Sequence, residues 1–340
     1  MMHRTATICA VASLLAVSCS AQSPSAIYDG GFNGTNAAIE LRIGNGGAGQ
    51  SGLIGLLADE FMKDTVHNGN APFKVALYMS DTTYSIEHLG TGLIDVGITY
   101  SPAAEQIAVD QGIATKPIYY AFRDHFLLVG PAANPANISG YDNIAKIFSD
   151  LRSAAESGIA TDPTIKFLSR YDKSATNIKE SMLWAEIGQV SSLGHCLLDL
   201  VYHQYIAFPI QALTAAILLE GYTITDKGTT LSLDTEVAKQ TVIYKAGTDE
   251  DPNDPLLNPA HLLVGAKAPN PDRAVAFATW VVSERGQSLI ASFKKNGDFC
   301  TPLPHPTRTA CVSPSTSNLL LTPHFTNGIR DKGFRLSPAL

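Results

Sequence analysis

The sequence has no apolar run long enough to cross a membrane and no block of like charges. Its longest apolar stretch, 206–219, stays under the span of about 18 residues that crossing a bilayer requires, and Pro209 and Gln211 interrupt it, so it predicts a buried helix. Charged residues make up 16% of the chain and the net charge is −7, so we do not expect nucleic acid as a partner, because proteins that bind it carry a basic patch. The G-x-S-x-G motif is also absent, and no nucleophile stands beside a base, which argues against a hydrolase.

Cysteine is scarce, with five in 340 residues, and part of this small set lies in an export signal. Residues 1–21 contain a single Arg, an apolar run over 8–17 and a small-residue end at Ala21, the pattern of a secretory signal peptide. We therefore expect a secreted or extracellular protein, or a periplasmic one in a bacterium. Asn33 and Asn137 begin glycosylation sequons, which matter only in a host that glycosylates.

Three cysteines remain after cleavage of the signal peptide. Cys300 and Cys311 flank a proline-rich loop, and in an exported chain this arrangement predicts a disulfide. Cys196 is then left over and is expected to be a buried thiol. Cys196 lies between His195 and His203, but the spacing does not fit a metal site, so we expect neither a metal nor a cofactor.

Glycine is abundant in one place, 44–49, within the segment 40–63. A short apolar strand leads into these glycines, and helical spacing follows, with Ser51 expected as the N-cap. Such a strand–glycine–helix unit can hold an anion on free N–H groups at the helix start; the alternative is a tight turn that binds nothing. The segment also spells G-x-G-x-x-G, but the acidic residue of a dinucleotide site is not at its expected place, and export argues against a nicotinamide enzyme.

The rest of the chain alternates strands and helices, which predicts a parallel sheet with helices on both faces. The elements that matter below are strands at 117–122, 125–129, 164–168 and 261–264, and helices at 144–156, 177–185, 206–221 and 272–293. Residues 22–39 are expected to be an irregular leader and 306–340 an irregular tail. No internal repeat is visible.

A second strand-to-helix loop, 169–176, carries hydroxyl groups and one arginine. Arg170 at the end of the strand could bind an anion through its guanidinium. It could equally pair with Asp172 and hold its own loop together. The sequence leaves both interpretations open.

Several separated segments, taken in order, resemble one known family. They are SGLI at 51–54, IDVGITY at 94–100, DHFLLVGP at 124–131, LSRYDKSATNIKE at 168–180, YTITDKGT at 222–229 and PLLNPAH at 255–261. The chain resembles the substrate-binding proteins of bacterial tungstate importers, which have a type II periplasmic-binding-protein fold, and in particular a secreted branch that occurs in fungi. The resemblance covers about residues 40–305.

The resemblance implies two α/β lobes joined by two crossing strands, with a ligand between them at helix N-termini. One lobe would comprise 40–120 with 265–305, and the other 130–255. The ligand-binding residues it implies are Asn45, Gly46, Gly47, Ser51, Ser80, Thr82, Arg170, Ser174 and Thr176. The bacterial pattern has hydroxyl residues where this chain has 44–47, so backbone N–H groups and Asn45 would have to replace them, or the ligand differs.

These observations together predict a secreted, monomeric solute-binding protein that holds a small anion, such as a tungstate- or molybdate-like oxyanion or another small acid. A membrane transporter or another cell-surface protein would be its partner. The alternatives are a secreted enzyme on the same scaffold, or an interaction protein whose cleft has lost its ligand.

Overall fold

The computed structural model describes residues 22–34, 36–140, 142–157, 165–189 and 202–299. The signal peptide, Cys196, Cys300, Cys311 and the tail 306–340 lie outside these residues, so the disulfide and the free thiol stay predictions. In the described part of the chain, no helix combines the length and apolarity that a membrane span needs.

The described residues form a mixed α/β fold with twelve strands and eleven helices. The strands are β1 (Ala26–Tyr28), β2 (Ile39–Asn45), β3 (Lys74–Met79), β4 (Val96–Thr99), β5 (Tyr119–Pro131), β6 (Phe167–Ser169), β7 (Tyr202–Gln204), β8 (Thr223–Asp226), β9 (Thr241–Ala246), β10 (Leu257–Val264), β11 (Lys294–Lys295) and β12 (Asp298–Phe299). The helices are α1 (Gly47–Ser51), α2 (Leu53–His67), α3 (Thr82–Thr91), α4 (Pro102–Asp110), α5 (Ile144–Ser157), α6 (Ala175–Glu186), α7 (Pro209–Leu218), α8 (Lys227–Leu231), α9 (Thr235–Ala238), α10 (Pro271–Val281) and α11 (Glu284–Ser292).

The predicted parallel sheet is wrong in part, because the sheet is mixed. Strand β2 pairs in parallel with β3 and β4, but β10 pairs antiparallel with β4 and β5, and β1 lies antiparallel at the edge beside β3. The order is β1-β3-β2-β4-β10-β5-β8, with β9 also on β5. Strand β10 returns the chain between the lobes and therefore runs antiparallel to β5, which crosses in the other direction. A simple βαβ alternation does not reveal such a return. The leader 22–39 is likewise not wholly irregular, since it contains β1.

The fold has two lobes, and β5 and β10 cross between them. Phe122 on β5 packs in the core of the first lobe and Phe126 in that of the second. On β10, Ala260 packs in the first core, and Leu256 just before the strand packs in the second. We predicted two strands at 117–122 and 125–129 where there is one, because the polar residues 123–125 resemble a loop; they mark the crossing point instead.

Several predicted helices are confirmed and one is wrong. Helix α5 has its apolar residues on one buried side, as its spacing indicates. The predicted helix 272–293 is two helices, because the first ends at Val281 and Ser283 caps the second, accepting a hydrogen bond from Gly286 N. A Cβ at Gly286 would lie 2.5 Å from the carbonyl oxygen of Trp280, so glycine permits this tight connection.

The crossing strand β5 offers a stability prediction at Gly130. A Cβ there would lie 2.3 Å from Cδ1 of the buried Tyr222 ring, whose hydroxyl donates to Asn134 Oδ1 at 2.9 Å. We expect Gly130→Ala to lower the free energy of unfolding by about 1–3 kcal/mol through overpacking, measured by urea unfolding. In the matched control, Gly90→Ala in α3, the nearest atom is Ile113 Cγ2 at 3.7 Å, so the change should be neutral or stabilising by up to about 1 kcal/mol. Equal stability of the two variants would contradict this account.

Candidate binding cleft between the lobes

A cavity of about 60 Å³ lies between the two lobes near the crossing strands. The first lobe lines it with residues from the glycine turn and from the loop before α3: Gly46, Gly47, Ser51, Ser80 and Thr82. The second lobe lines it with Arg170, Ser174 and Thr176. The structure therefore brings together two loops that are about 120 residues apart in sequence, which is the arrangement that the family resemblance implies.

Asn45 is not among the lining residues, because its side chain is fully buried and holds the glycine turn together. Its amide donates to the carbonyl oxygen of Ile98 at 2.9 Å and to the Tyr100 hydroxyl at 3.2 Å, and its Oδ1 accepts from Gly49 N at 2.8 Å. Asn45 thus positions the loop. Because its amide donates to these two partners, Asn45 has no free donor for the direct ligand role that we predicted.

Ser51 is also placed differently from the predicted N-cap. It is the last residue of the short helix α1, its hydroxyl donates to the Ala48 carbonyl at 3.1 Å, and Gly52 with φ +95° separates α1 from α2. The glycine-rich segment forms the short helix α1 before the apolar helix α2 begins. Ser51 nevertheless lines the cavity.

The N-termini of three longer helices meet at the cavity. Helix α3 from the first lobe begins there behind its N-cap Asp81, whose Oδ1 accepts from Tyr84 N at 3.1 Å. From the second lobe, α6 begins behind Ser174, whose hydroxyl accepts from Asn177 N at 3.2 Å, and α7 begins at Pro209. Each helix start carries a partial positive charge, so the three together favour an anion.

Arg170 both lines the cavity and makes an ion pair with Asp172, and the two side chains are 7% and 8% exposed. Its Nε also donates to the carbonyl oxygen of Ala207 at 3.2 Å, and Asp172 Oδ1 accepts from Ser174 N at 3.0 Å. The pairing that the sequence left open is therefore present. It holds the loop in shape and neutralises part of the positive charge that Arg170 offers to a ligand.

A buried network behind the same loop fixes the start of α6. Glu180 Oε1 accepts hydrogen bonds from the hydroxyls of Ser169 and Tyr202 and from Asn177 Nδ2. Burial raises the pKa of Glu180 to about 7, because the charged form loses its hydration. The loop between β6 and α6 is thus supported from below by a side-chain network.

Four acidic or amide residues that line the cavity were not predicted from the sequence as site residues. They are Asp81, Asp124, Asp226 and Asn258. Asp124, Asp226 and Asn258 lie within three of the segments that carry the family resemblance, and each stands at or near a strand crossing or a strand end. Their position in these segments, at strand ends or crossings, was the sequence feature that could have identified them. Burial raises the pKa of Asp81 to about 6.

The two lobes touch each other around the cavity. Gln50 Nε2 of the first lobe donates to Gln211 Oε1 of the second at 3.0 Å, and Thr83 Oγ1 donates to the Lys173 carbonyl at 2.8 Å. Asn296 Nδ2 reaches the Leu231 carbonyl at 2.8 Å. Among the described residues, no group of His, Cys, Asp and Glu has the arrangement of a metal site. The geometry defines a two-lobe binding protein whose cleft suits a small ligand.

Comparison with known proteins agrees with this class. A family model described as a PBP superfamily domain matches residues 32–285, and the chain belongs to that family. The tungstate-binding protein TupA of Peptoclostridium acidaminophilum is 29% identical over 261 residues, which cover 72% of this chain and 78% of TupA. A periplasmic protein of known crystal structure, provisionally described as metal-binding, is 57% identical with a TM-score of 0.74 over 82% of this chain and 99% of the other.

A further structure supports the fold alone. TupA of Desulfovibrio alaskensis G20 superposes with a TM-score of 0.58 at 23% identity, over 78% of this chain and 98% of that protein. The predicted fold class, a two-lobe type II periplasmic-binding-protein fold, is therefore confirmed.

Proposed function

We propose that the chain is a non-enzymatic solute-binding protein that holds one small oxyanion in the cleft between its lobes. The observation that carries the proposal is the convergence of three helix N-termini and Arg170 on a single cavity of about 60 Å³. At about 10–15 Å³ for each water-sized volume, such a cavity holds about five non-hydrogen atoms, the size of a tetrahedral oxyanion.

The similar proteins support an oxyanion of this kind. TupA is named for tungstate, and a provisional description as metal-binding is compatible with a metal that is bound as its oxyanion. We further propose that the mature chain begins at Gln22, is exported as a monomer and delivers its ligand to a transporter. The boundaries 40–120 with 265–305 and 130–255 remain the proposed lobes.

Thermal melting with a panel of anions tests this function. Sodium tungstate, molybdate, sulfate and phosphate would be compared with sodium chloride at equal ionic strength. An anion that binds only the folded protein stabilises it by about 2.7 kcal/mol at one hundred times its dissociation constant, so we expect a melting temperature that rises with the concentration of at least one oxyanion. A melting temperature that no oxyanion changes would contradict the proposal.

Thr176 supplies a specific prediction for this cleft. It is 5% exposed, and its hydroxyl makes no hydrogen bond within the described part of the chain. We expect Thr176→Val, which keeps the shape and removes the donor, to lower the affinity for the oxyanion by roughly ten- to a hundredfold, the effect of losing one hydrogen bond to a charged group. Calorimetric titration measures the affinity.

Thr65→Val in α2 is the matched control, since its hydroxyl donates to the Phe61 carbonyl at 2.6 Å and Thr65 does not line the cavity. That variant should bind as the wild type does. Unchanged affinity in Thr176→Val would remove Thr176 from the ligand-binding residues.

A further inference from the structure

One part of the cavity wall carries two carboxylates, Asp124 and Asp226, beside the amide of Asn258, which is unexpected in a site for an anion. Asn258 on β10 stands directly opposite Asp124 on β5 in the antiparallel ladder, so the two side chains share a face of the sheet. Asp226 ends β8, and a Cβ at Gly228 would lie 3.4 Å from its Oδ1 and 4.0 Å from Asp124 Oδ2. We call Asp124, Asp226 and Asn258 the acceptor cluster.

The acceptor cluster is short of donors. Asn258 is 4% exposed, and its Oδ1 has no hydrogen-bond partner among the described residues, although Asn258 lines the cavity. Asp226 accepts hydrogen bonds from Thr229 N at 2.7 Å and from the Thr229 hydroxyl at 2.6 Å. Asp124 Oδ1 accepts one from His125 N at 2.7 Å. A buried acceptor without a donor is costly, so whatever fills the cavity should bring a hydrogen atom to this wall.

The basic groups nearest the acceptor cluster do not neutralise it. On β5, Arg123 and His125 both face Asp249, at 2.6 Å and 3.4 Å. Lys227, which follows Asp226 at the start of α8, lowers the pKa of Asp124, but by less than burial raises it. Burial, and then the charge of Asp226, hold the pKa of Asp124 well above its ordinary value.

The other titratable groups around the cavity leave little positive charge to balance the acceptor cluster. Tyr100, directly after β4, is uncharged at neutral pH, and burial raises its pKa further above the ordinary value. Arg170 is engaged by Asp172, and Asp81 is a further acid. A doubly charged oxyanion would meet strong repulsion beside the carboxylates of the acceptor cluster, in a poorly hydrated space, unless the cluster carries a proton.

We propose that the cleft binds its oxyanion together with one proton, which lies between the anion and the acceptor cluster. The inference rests on the proposed function. The proton can arrive on the anion, as in hydrogen phosphate, or it can be taken up from solvent by the acceptor cluster; the resulting complex has the same composition. With the proton in place, a repelling wall becomes a hydrogen-bond donor for the ligand.

Calorimetric titration in two buffers of different ionisation enthalpy tests the proposal. With sodium tungstate at pH 7.5, where this anion carries no proton, we expect uptake of about one proton per anion bound and a tenfold loss of affinity from pH 7.5 to 8.5. Sodium phosphate, which brings its own proton, should show uptake near zero. Each titration is carried out with and without EDTA, because a divalent cation could otherwise take the place of the proton.

Two variants and a control test whether the proton binds at the acceptor cluster. Asp124→Asn supplies its own donor, so tungstate binding should lose the proton uptake and be stronger than that of the wild type at pH 8.5. Asp226→Asn should behave in the same direction and provides a second variant if the first does not fold. Glu180→Gln is the matched control, because Glu180 is a buried acid that does not line the cavity but belongs to the network behind the loop; it should keep the proton uptake.

The outcomes separate this inference from the proposed function. Tungstate binding without proton uptake, or uptake that Glu180→Gln abolishes and Asp124→Asn preserves, would overturn the inference and leave the proposed function standing. Binding that EDTA prevents would mean that a cation fills the acceptor cluster, which also overturns it. Failure to bind tungstate, molybdate, sulfate and phosphate at both pH values would overturn the proposed function, and the inference with it.

Discussion

Replacement of Arg170 by alanine is expected to weaken both the fold and the binding of the anion. The substitution leaves Asp172 buried without its partner, and breaking a buried ion pair from one side costs about 3–5 kcal/mol of stability. The affinity should fall by roughly ten- to a hundredfold if the guanidinium contacts the ligand. The sequence left open whether Arg170 binds the ligand or holds its own loop together; the ion pair with Asp172 is the reason to expect a loss of stability as well.

A double variant separates the two roles of Arg170. Arg170→Met with Asp172→Asn removes both charges, and the Asn oxygen can still accept from Ser174 N. We expect the melting temperature to recover most of its loss while the affinity stays low. Arg170→Lys should recover the affinity only in part, because it keeps the charge without the planar donor pair. Full affinity in the double variant would make Arg170 a structural residue only.

The two lobes are expected to unfold as separate cooperative units, which the two tryptophans of the chain can report individually. Trp184 packs in the core of the second lobe, 4.7 Å from the Phe148 ring, and Trp280 packs against the core of the first, 5.6 Å from the Phe61 ring. Phe148→Ala should lower the stability of the second lobe by about 3–5 kcal/mol, because it opens a cavity in a closely packed aromatic cluster.

Single-tryptophan proteins measure this effect. In a Trp280→Phe background, Phe148→Ala should shift the fluorescence transition of Trp184 to lower urea concentration. In a Trp184→Phe background, the same substitution should leave the Trp280 transition almost unchanged, whereas Phe277→Ala, in the first core, should shift it. Equal shifts of both probes with either substitution would show that the chain unfolds as one unit and would contradict the prediction of separate unfolding.

The sequence predicted the elements whose pattern is local. Helix α5 was legible from its one-sided apolar spacing, and the loops 44–51 and 169–176 from the change between strand and helix patterns. The resemblance to tungstate-binding proteins then supplied the pairing of these loops across a cleft. Spacing alone could not have joined segments so far apart in the chain.

The features that were missed depend on tertiary contacts. Strand β5 reads as two strands because its polar centre lies at the crossing between lobes, where Arg123 meets Asp249. Asn45 looks like a ligand in sequence, yet its partners Ile98 and Tyr100 are more than fifty residues away. The acceptor cluster forms only when β5, β8 and β10 come together.

Titration of the ligand-free protein with the oxyanion that stabilises it most tests the central claim, that the interlobe cleft binds one small anion. The account predicts a stoichiometry of one anion per chain by calorimetry, with affinity reduced in Thr176→Val and unchanged in Thr65→Val. Binding of several anions per chain, or equal affinity in the wild type and in Thr176→Val and Arg170→Met/Asp172→Asn, would place the anion outside the cleft and contradict it.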